Sequence, residues 1–220
     1  MKLVLASGSQ RRRELLTMCG YDYEIIVSNA DETIDENDPE SFVRALSFRK
    51  AKEVFDRLFA AGRRDFAVIG SDTVVAFQKD GETKPVIIGK PKDAEDAVRV
   101  LSMLSGKTHR VFTGVSVIAD IPDENAAAQC SIREKAEIQT ECSITEVTFE
   151  TLSPDEITDY VNSGDPLDKA GSYGIQGPFG MFVREIRGNY FTVIGMPIPV
   201  LYKMLKKIGI LPHGFYERIE

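Results

Sequence analysis

Residues 3–16 constrain the fold of this chain more than any other stretch. The apolar run Leu3-Val4-Leu5-Ala6 reads as a short buried strand, and Ser7-Gly8-Ser9 as the turn that ends it. From Arg11 onward the chain reads as a helix, its apolar side set by Leu15 and Leu16. Strand, tight turn and helix in that order are the building unit of α/β proteins. The helix opens on Arg11-Arg12-Arg13. First turns favour acidic residues instead, because free N–H groups and the macrodipole already concentrate positive charge there. Cations in that place suit an anion held at the helix N-terminus, so the turn is a candidate phosphate-binding loop. The plain alternative is a solvated basic face. In a chain of net charge −7, so concentrated a cationic turn stands out.

The alternation continues along the chain. A helix over about 11–19, closed by Gly20, leads to a second strand at 23–27. A long helix is expected over about 39–61, with Phe42, Ala45, Leu46, Val54, Leu58 and Phe59 on its apolar face and Gly62 ending it. Two short strands, 66–70 and 74–78, bracket Ser71-Asp72-Thr73, and a third at 86–88 returns through Lys79-Asp80-Gly81-Glu82. An amphipathic helix follows at 93–104. Strands are expected at 109–119 and 142–152, separated by a polar insertion at about 120–141. Ser153-Pro154-Asp155-Glu156 opens another helix. Residues 181–186 and 190–194 read as a hairpin through Arg187-Gly188-Asn189, and 199–208 as the last helix, with a loose tail from His213. The expected fold class is α/β: a mixed, central β-sheet flanked by helices, with a cleft between two lobes. One domain would span 1–208, with a C-terminal tail at 209–220.

Composition removes several classes of function. A content of 43% hydrophobic and 28% charged residues is ordinary for a soluble globular protein. The acidic balance argues against a nucleic-acid polymer as partner, since no global positive field attracts one. Cys19, Cys130 and Cys142 are scattered and form no C-x-x-C, so neither a disulfide framework nor a zinc site is expected, and the cytoplasm is the default compartment. No run approaches the ~18 apolar residues of a membrane span, and the apolar stretch near the N-terminus is too short to be expected as a signal peptide.

Several segments could carry chemistry. Ile69-Gly70-Ser71-Asp72-Thr73-Val74-Val75 sets Asp72 at the end of a buried strand, where α/β folds gather ligands. A carboxylate there can hold a hard cation together with substrate phosphates, or take a proton from an attacking water. It could equally cap its own turn. Asp31-Glu32 follows the second strand in the same topological position, unless it is a solvated pair. Lys90, in Gly89-Lys90-Pro91, would add a cation near a helix start, and Lys50 in the long helix is either a site cation or solvated. Ser105-Gly106-Lys107-Thr108 is no Walker A loop, because Leu101 occupies the required glycine position and a helix precedes it. Gly171, Gly174, Gly177 and Gly180 recur every third residue, which lets backbone approach a ligand closely. Among them Gln176 can both donate to and accept from the amide edge of a uracil or thymine. An ordinary flexible loop is the alternative. His109 reads as a strand residue rather than a ligand.

Together these stretches resemble the Maf family of nucleotide pyrophosphatases, relatives of the inosine triphosphate pyrophosphatase fold. The resemblance rests on six motifs in order: Ser7-Gly8-Ser9-x-Arg11-Arg12, Gly70-Ser71-Asp72-Thr73-Val74-Val75, Gly89-Lys90-Pro91, Leu104-Ser105-Gly106-Lys107-Thr108-His109, Asp168-Lys169-Ala170-Gly171-x-Tyr173-Gly174-Ile175-Gln176-Gly177 and Gly195-Met196-Pro197. It implies hydrolysis of a nucleoside triphosphate to the monophosphate and pyrophosphate with a divalent cation, Mg²⁺ or Mn²⁺. By resemblance Asp72 is the catalytic or metal-organising carboxylate and Glu32 joins it at the metal. Arg11, Arg12, Lys50 and Lys90 hold the triphosphate, and Ser7 lines the turn. Arg11, Thr73 and Gln176 resemble the branch acting on dTTP, UTP and modified pyrimidine nucleotides. The 7-methyl-GTP branch tends to carry an aromatic residue and a Glu at the Arg11 and Gln176 positions. Arg13 falls on no motif position and is expected to be solvated. The chain departs from the family pattern at Gln10, in place of Pro, at Thr192, in place of Asn, and in the length of the 120–141 insertion. The resemblance also carries a second role, a nucleotide-sensing regulator of cell division or septum formation, which would need no hydrolysis. A sugar-nucleotide transferase likewise pairs a basic turn with a metal-binding Asp. A homodimer is compatible with such a chain.

Overall fold

The computed structural model describes residues 1–79, 81–121 and 136–214. Its elements are β1 (Lys2–Leu5), α1 (Gln10–Met18), β2 (Glu24–Ile25), α2 (Pro39–Ala60), β3 (Phe66–Phe77), β4 (Val86–Ile88), α3 (Ala94–Leu104), β5 (Thr108–Asp120), β6 (Ala136–Phe149), α4 (Pro154–Asn162), β7 (Val183–Arg187), α5 (Tyr190–Ile194) and α6 (Ile198–Lys207). The strands form one seven-stranded mixed sheet in the order β2-β1-β3-β5-β6-β7, with β4 paired to β3. Among the described residues, no helix is long and apolar enough to cross a membrane.

β3 organises the sheet. It runs parallel to β1 from Phe66 to Ile69 and antiparallel to β4 from Val75 to Phe77. Between those two stretches one edge of β3 pairs with neither strand, while its other edge stays paired to β5 throughout, with Asp72 opposite Gly114. This corrects the expectation of two strands with Asp72 at the end of the first. Asp72 lies inside one continuous strand. The long β5 ladder holds Gly70-Ser71-Asp72-Thr73 extended, although its small polar residues read locally as a turn.

The two faces of the sheet are covered differently. On one face α2 lies directly on the strands, because Gly70 and Gly114 carry no side chain there. A β-carbon would stand 2.1 Å from the Ser47 carbonyl oxygen at Gly70 and 2.1 Å from that of Val43 at Gly114. The buried side of α2 is therefore Val43, Leu46, Ser47, Ala51, Val54 and Phe55. The expected Phe42, Ala45, Leu58 and Phe59 are only half-buried, since the small residues Ser47 and Ala51 turn toward the glycines. On the other face two apolar clusters stand apart. One packs Leu3, Leu5, Ile69, Val115 and Val117 against α1 and α6, and the other packs Val75, Phe77, Val111 and Phe149 against α3 and α4. Between them the same strands present Ser71, Thr73 and Thr113. The two-lobed form arises from that polar seam.

Other expectations change in detail. The hairpin over 181–194 is a strand followed by the helix α5. Asn189 accepts the Phe191 N–H at 2.9 Å as an N-cap, and Gly195, at φ 108°, ends the turn. β5 reaches Asp120 and β6 begins at Ala136, so both ends of the expected insertion belong to strands. Between them, residues 122–135 lie outside the described residues, as do Asp80 and the tail residues 215–220. His213, where the loose tail was expected to begin, is tied down: its N–H donates to the Gly20 carbonyl at 2.8 Å.

Candidate active site

All nine residues singled out from the sequence line one cleft of about 1650 Å³: Ser7, Arg11, Arg12, Glu32, Lys50, Asp72, Thr73, Lys90 and Gln176. It opens where β3 passes from β1 to β4, at the carboxyl end of β1. In open α/β sheets, crevices at such strand ends receive ligands.

Alternation along β3 sends Asp72 toward α2 and Ser71 and Thr73 toward the seam. On the α2 side the Lys50 ammonium donates to Asp72 Oδ1 at 2.7 Å and lies 3.0 Å from Glu32 Oε1. The Lys50 and Asp72 side chains are each 12% exposed and Glu32 is 64% exposed, so the trio runs from the sheet into the open cleft. Its three charges sum to minus one.

On the seam side Arg12 meets neutral acceptors. Its Nε donates to the Gly195 carbonyl at 2.8 Å, Nη1 to Ser7 Oγ at 3.1 Å and Nη2 to Thr73 Oγ1 at 3.4 Å. The Ser71 hydroxyl lies 3.0 Å from the same Gly195 oxygen, and Thr113 donates to the Thr192 carbonyl at 2.7 Å. Burial pulls the Arg12 guanidinium below its ordinary value, while Asp72 pulls it up through space. Among the described residues no carboxylate forms an ion pair with Arg12, so its positive charge remains available to an anion. The N-terminus of α1 supports this. Ser9 makes no side-chain cap, and the first turn holds no acidic residue.

Arg11 and Lys90 both line the cleft. Arg11 Nη1 lies 3.8 Å from Asp168 Oδ2, and Lys90 is exposed. Arg13 departs from expectation. It is half-buried, donates to the Gly8 carbonyl at 3.1 Å and lines the same cleft. Arg13 matches no motif position, yet the helix turns its side chain back over the Ser-Gly-Ser turn.

Gln176 is exposed on a segment built of three 3-10 turns. Its glycines serve packing within the protein as much as any ligand. A β-carbon at Gly171, which has φ 72°, would sit 2.5 Å from Val75, and one at Gly174 would sit 2.6 Å from Lys169 Cε. The Tyr160 hydroxyl donates to Asp165 Oδ2 at 2.5 Å and accepts the Gly174 N–H at 3.0 Å. Lys169 Nζ bonds Asp165 Oδ1 at 2.9 Å and Asp168 Oδ1 at 2.7 Å. His109 is a strand residue, as read. Its Nε2 lies 3.0 Å from the Tyr173 hydroxyl in the second lobe, and burial pushes it down to about 3.

Fold and site together define an α/β protein whose mixed sheet carries, in one cleft, a carboxylate pair on one side of β3 and a guanidinium held by neutral acceptors on the other. The family model described as Maf-like protein matches residues 2–208, and the chain belongs to that family. The dTTP/UTP pyrophosphatase of Agathobacter rectalis is 41% identical over 217 residues, covering 95% of this chain and 98% of its own. The dTTP/UTP pyrophosphatase of Bacillus thuringiensis is 42% identical over 210 residues, covering 95% and 96% respectively. The Staphylococcus aureus Ham1 protein aligns over 94% of this chain and 99% of its own, with a TM-score of 0.48 and 14% identity.

Proposed function

We propose that this protein hydrolyses dTTP, UTP and related or modified pyrimidine nucleoside triphosphates to the monophosphate and pyrophosphate. The observation that carries the reading is the convergence of several cations, Arg12 among them with only neutral acceptors, a carboxylate pair and an exposed amide in one cleft. The names of relatives 41–42% identical over nearly the whole chain support the same activity.

In this reading Arg12, Arg11 and Lys90 hold the triphosphate, and Ser7 keeps the turn and Arg12 in register. Displacement at phosphorus needs little more than positioned charge and an oriented water. Asp72 accepts the water proton as the water oxygen bonds to phosphorus and the anhydride bond to the departing pyrophosphate breaks. Lys50 holds the Asp72 carboxylate in place. The cleft also suits a divalent cation, because its anionic donors are carboxylate oxygens. Mg²⁺ and Mn²⁺ accept one or two carboxylates and complete their shell with phosphates and water. Asp72 and Glu32 would hold that ion, and when bound it would neutralise charge on the phosphates. Gln176 and Thr73 would select the base, a neutral amide suiting the mixed edge of a pyrimidine. The enzyme would act in the cytoplasm on free nucleotides, as one domain over 1–208 with a short tail. It would use neither a nucleic-acid polymer nor a membrane, and a homodimer is the simplest assembly.

The test is phosphate release, with inorganic pyrophosphatase added, from dTTP, UTP, CTP and 7-methyl-GTP under Mg²⁺ and Mn²⁺. Turnover of dTTP and UTP above the others is expected. Turnover of 7-methyl-GTP alone would reject the base assignment, and binding without any turnover would favour a nucleotide sensor. A sugar-nucleotide product would point to a transferase.

A further inference from the structure

Glu32 sits on the stretch from Ser28 to Asn37, which forms no helix or strand. Such a segment supplies no ladder of its own to hold a side chain at a defined place. Three residues of α2 hold it instead. Arg49, Glu53 and Arg57 are spaced four apart, so they project from one side of the helix. Arg57 donates to the Val27 carbonyl at 3.0 Å, and Glu53 accepts the Asn29 N–H at 3.0 Å. Arg49 makes the tightest grip. One nitrogen of its guanidinium donates to the carbonyls of both Asp31 and Thr33, each at 2.8 Å. Those two residues flank Glu32, and Asp31 Oδ1 also accepts the Thr33 N–H at 2.9 Å, closing the turn around it.

We propose that Arg49 is a positioning residue for Glu32: by clasping the carbonyls on both sides of it, Arg49 sets the Glu32 carboxylate beside Lys50 and Asp72. The inference rests on the role given to Glu32 above. Arg49 is the residue immediately before Lys50, so consecutive positions of one helix serve the site in two ways. Lys50 contacts the carboxylates, and Arg49 fixes the backbone that carries one of them. A lysine would replace it only in part, because an ammonium can donate to two carbonyls but its flexible stem lacks the planar guanidinium that fixes their geometry.

The experiment compares wild type, Arg49→Met, Arg49→Lys, Glu32→Gln and the Glu32→Gln/Arg49→Met double variant of the full chain. Steady-state release of pyrophosphate from UTP is measured over a Mg²⁺ titration. Hydrogen exchange of peptides covering 28–34 is followed without nucleotide or metal. Arg49→Met should exchange faster in 28–34 and lose about 10-fold in kcat, the scale of an outer partner of a metal ligand. Its half-saturating Mg²⁺ should rise, its KM for UTP should stay within about 2-fold, and Arg49→Lys should recover only part of kcat. The double variant should be no slower than Glu32→Gln alone. Unchanged kinetics in Arg49→Met, with Glu32→Gln impaired, would overturn the positioning role and leave the proposed function standing. Losses that multiply in the double variant would also overturn it. Full activity in Glu32→Gln would instead remove the role assigned to Glu32, and with it the inference.

Discussion

The two faces of β3 handle positive charge in opposite ways. Toward α2, Lys50 is spent on two carboxylates, Asp72 at 2.7 Å and Glu32 at 3.0 Å. Toward the seam, Arg12 is held by a carbonyl and two hydroxyls, none of which carries charge. Successive side chains of an extended strand point to opposite faces, so residues 72 and 73 belong to the two environments although they adjoin in sequence. The difference assigns the work. The α2 face keeps a negative balance suited to a cation and to proton acceptance. The seam face keeps a positive one suited to phosphate.

Breaking the α2 face should have the largest effect. Asp72→Asn preserves shape and removes the proton acceptor, so kcat should fall by about 10²- to 10⁴-fold, while calorimetry still detects nucleotide binding. Full turnover in that variant would show that the two faces are not divided in this way. Breaking the seam face comes next. Arg12→Ala should weaken kcat/KM by roughly 1.5–3 kcal/mol, the range for lost charge-assisted hydrogen bonds. Unlike Asp72→Asn, it should also impair binding. Gly70→Ala sharpens the comparison without touching charge. Its β-carbon would meet the Ser47 carbonyl and Ala51, pushing α2 and Lys50 from the strand. Urea unfolding should show a loss of about 1–3 kcal/mol for that overpacking.

The smallest effect concerns the second lobe. Burial holds His109 neutral down to about 3, against an ordinary value of 6.5. The unfolded chain therefore binds a proton near pH 6.5 that the folded chain refuses until about pH 3. This residue costs no stability above pH 6.5, and below it stability falls by about 1.4 kcal/mol per pH unit. His109→Gln should flatten that slope between about pH 6 and 5, where few carboxylates titrate. Activity at neutral pH tests whether the disturbance crosses the seam, and little change is expected.

Much of this was legible in the chain. The β1-turn-α1 unit and the Ser153 helix start are marked by local chemistry that a sequence displays directly, and the nine cleft residues were reached through motifs that resemble a family. What was misread has a common cause. Gly70-Ser71-Asp72-Thr73 has the composition of a turn, and only pairing with β5 keeps it extended. Residues 190–194 have the composition of a strand, and the Asn189 and Gly195 caps make them a helix. Arg13 and Arg49 left no signal, because both act on backbone carbonyls, which every residue possesses.

The chain by itself determined which charges are present, where the strands alternate, and which positions could tolerate a close neighbour. The tertiary structure decided which of those charges meet. Period-two alternation separates Asp72 from Thr73, but it does not say what covers either face. That depends on α2 settling onto the bare backbone of Gly70 and Gly114, which brings Lys50 to Asp72 across 22 residues of sequence. It depends equally on Gly195, 183 residues beyond Arg12, closing the seam around the guanidinium. Contacts at such separations are set by packing, and no local pattern records them.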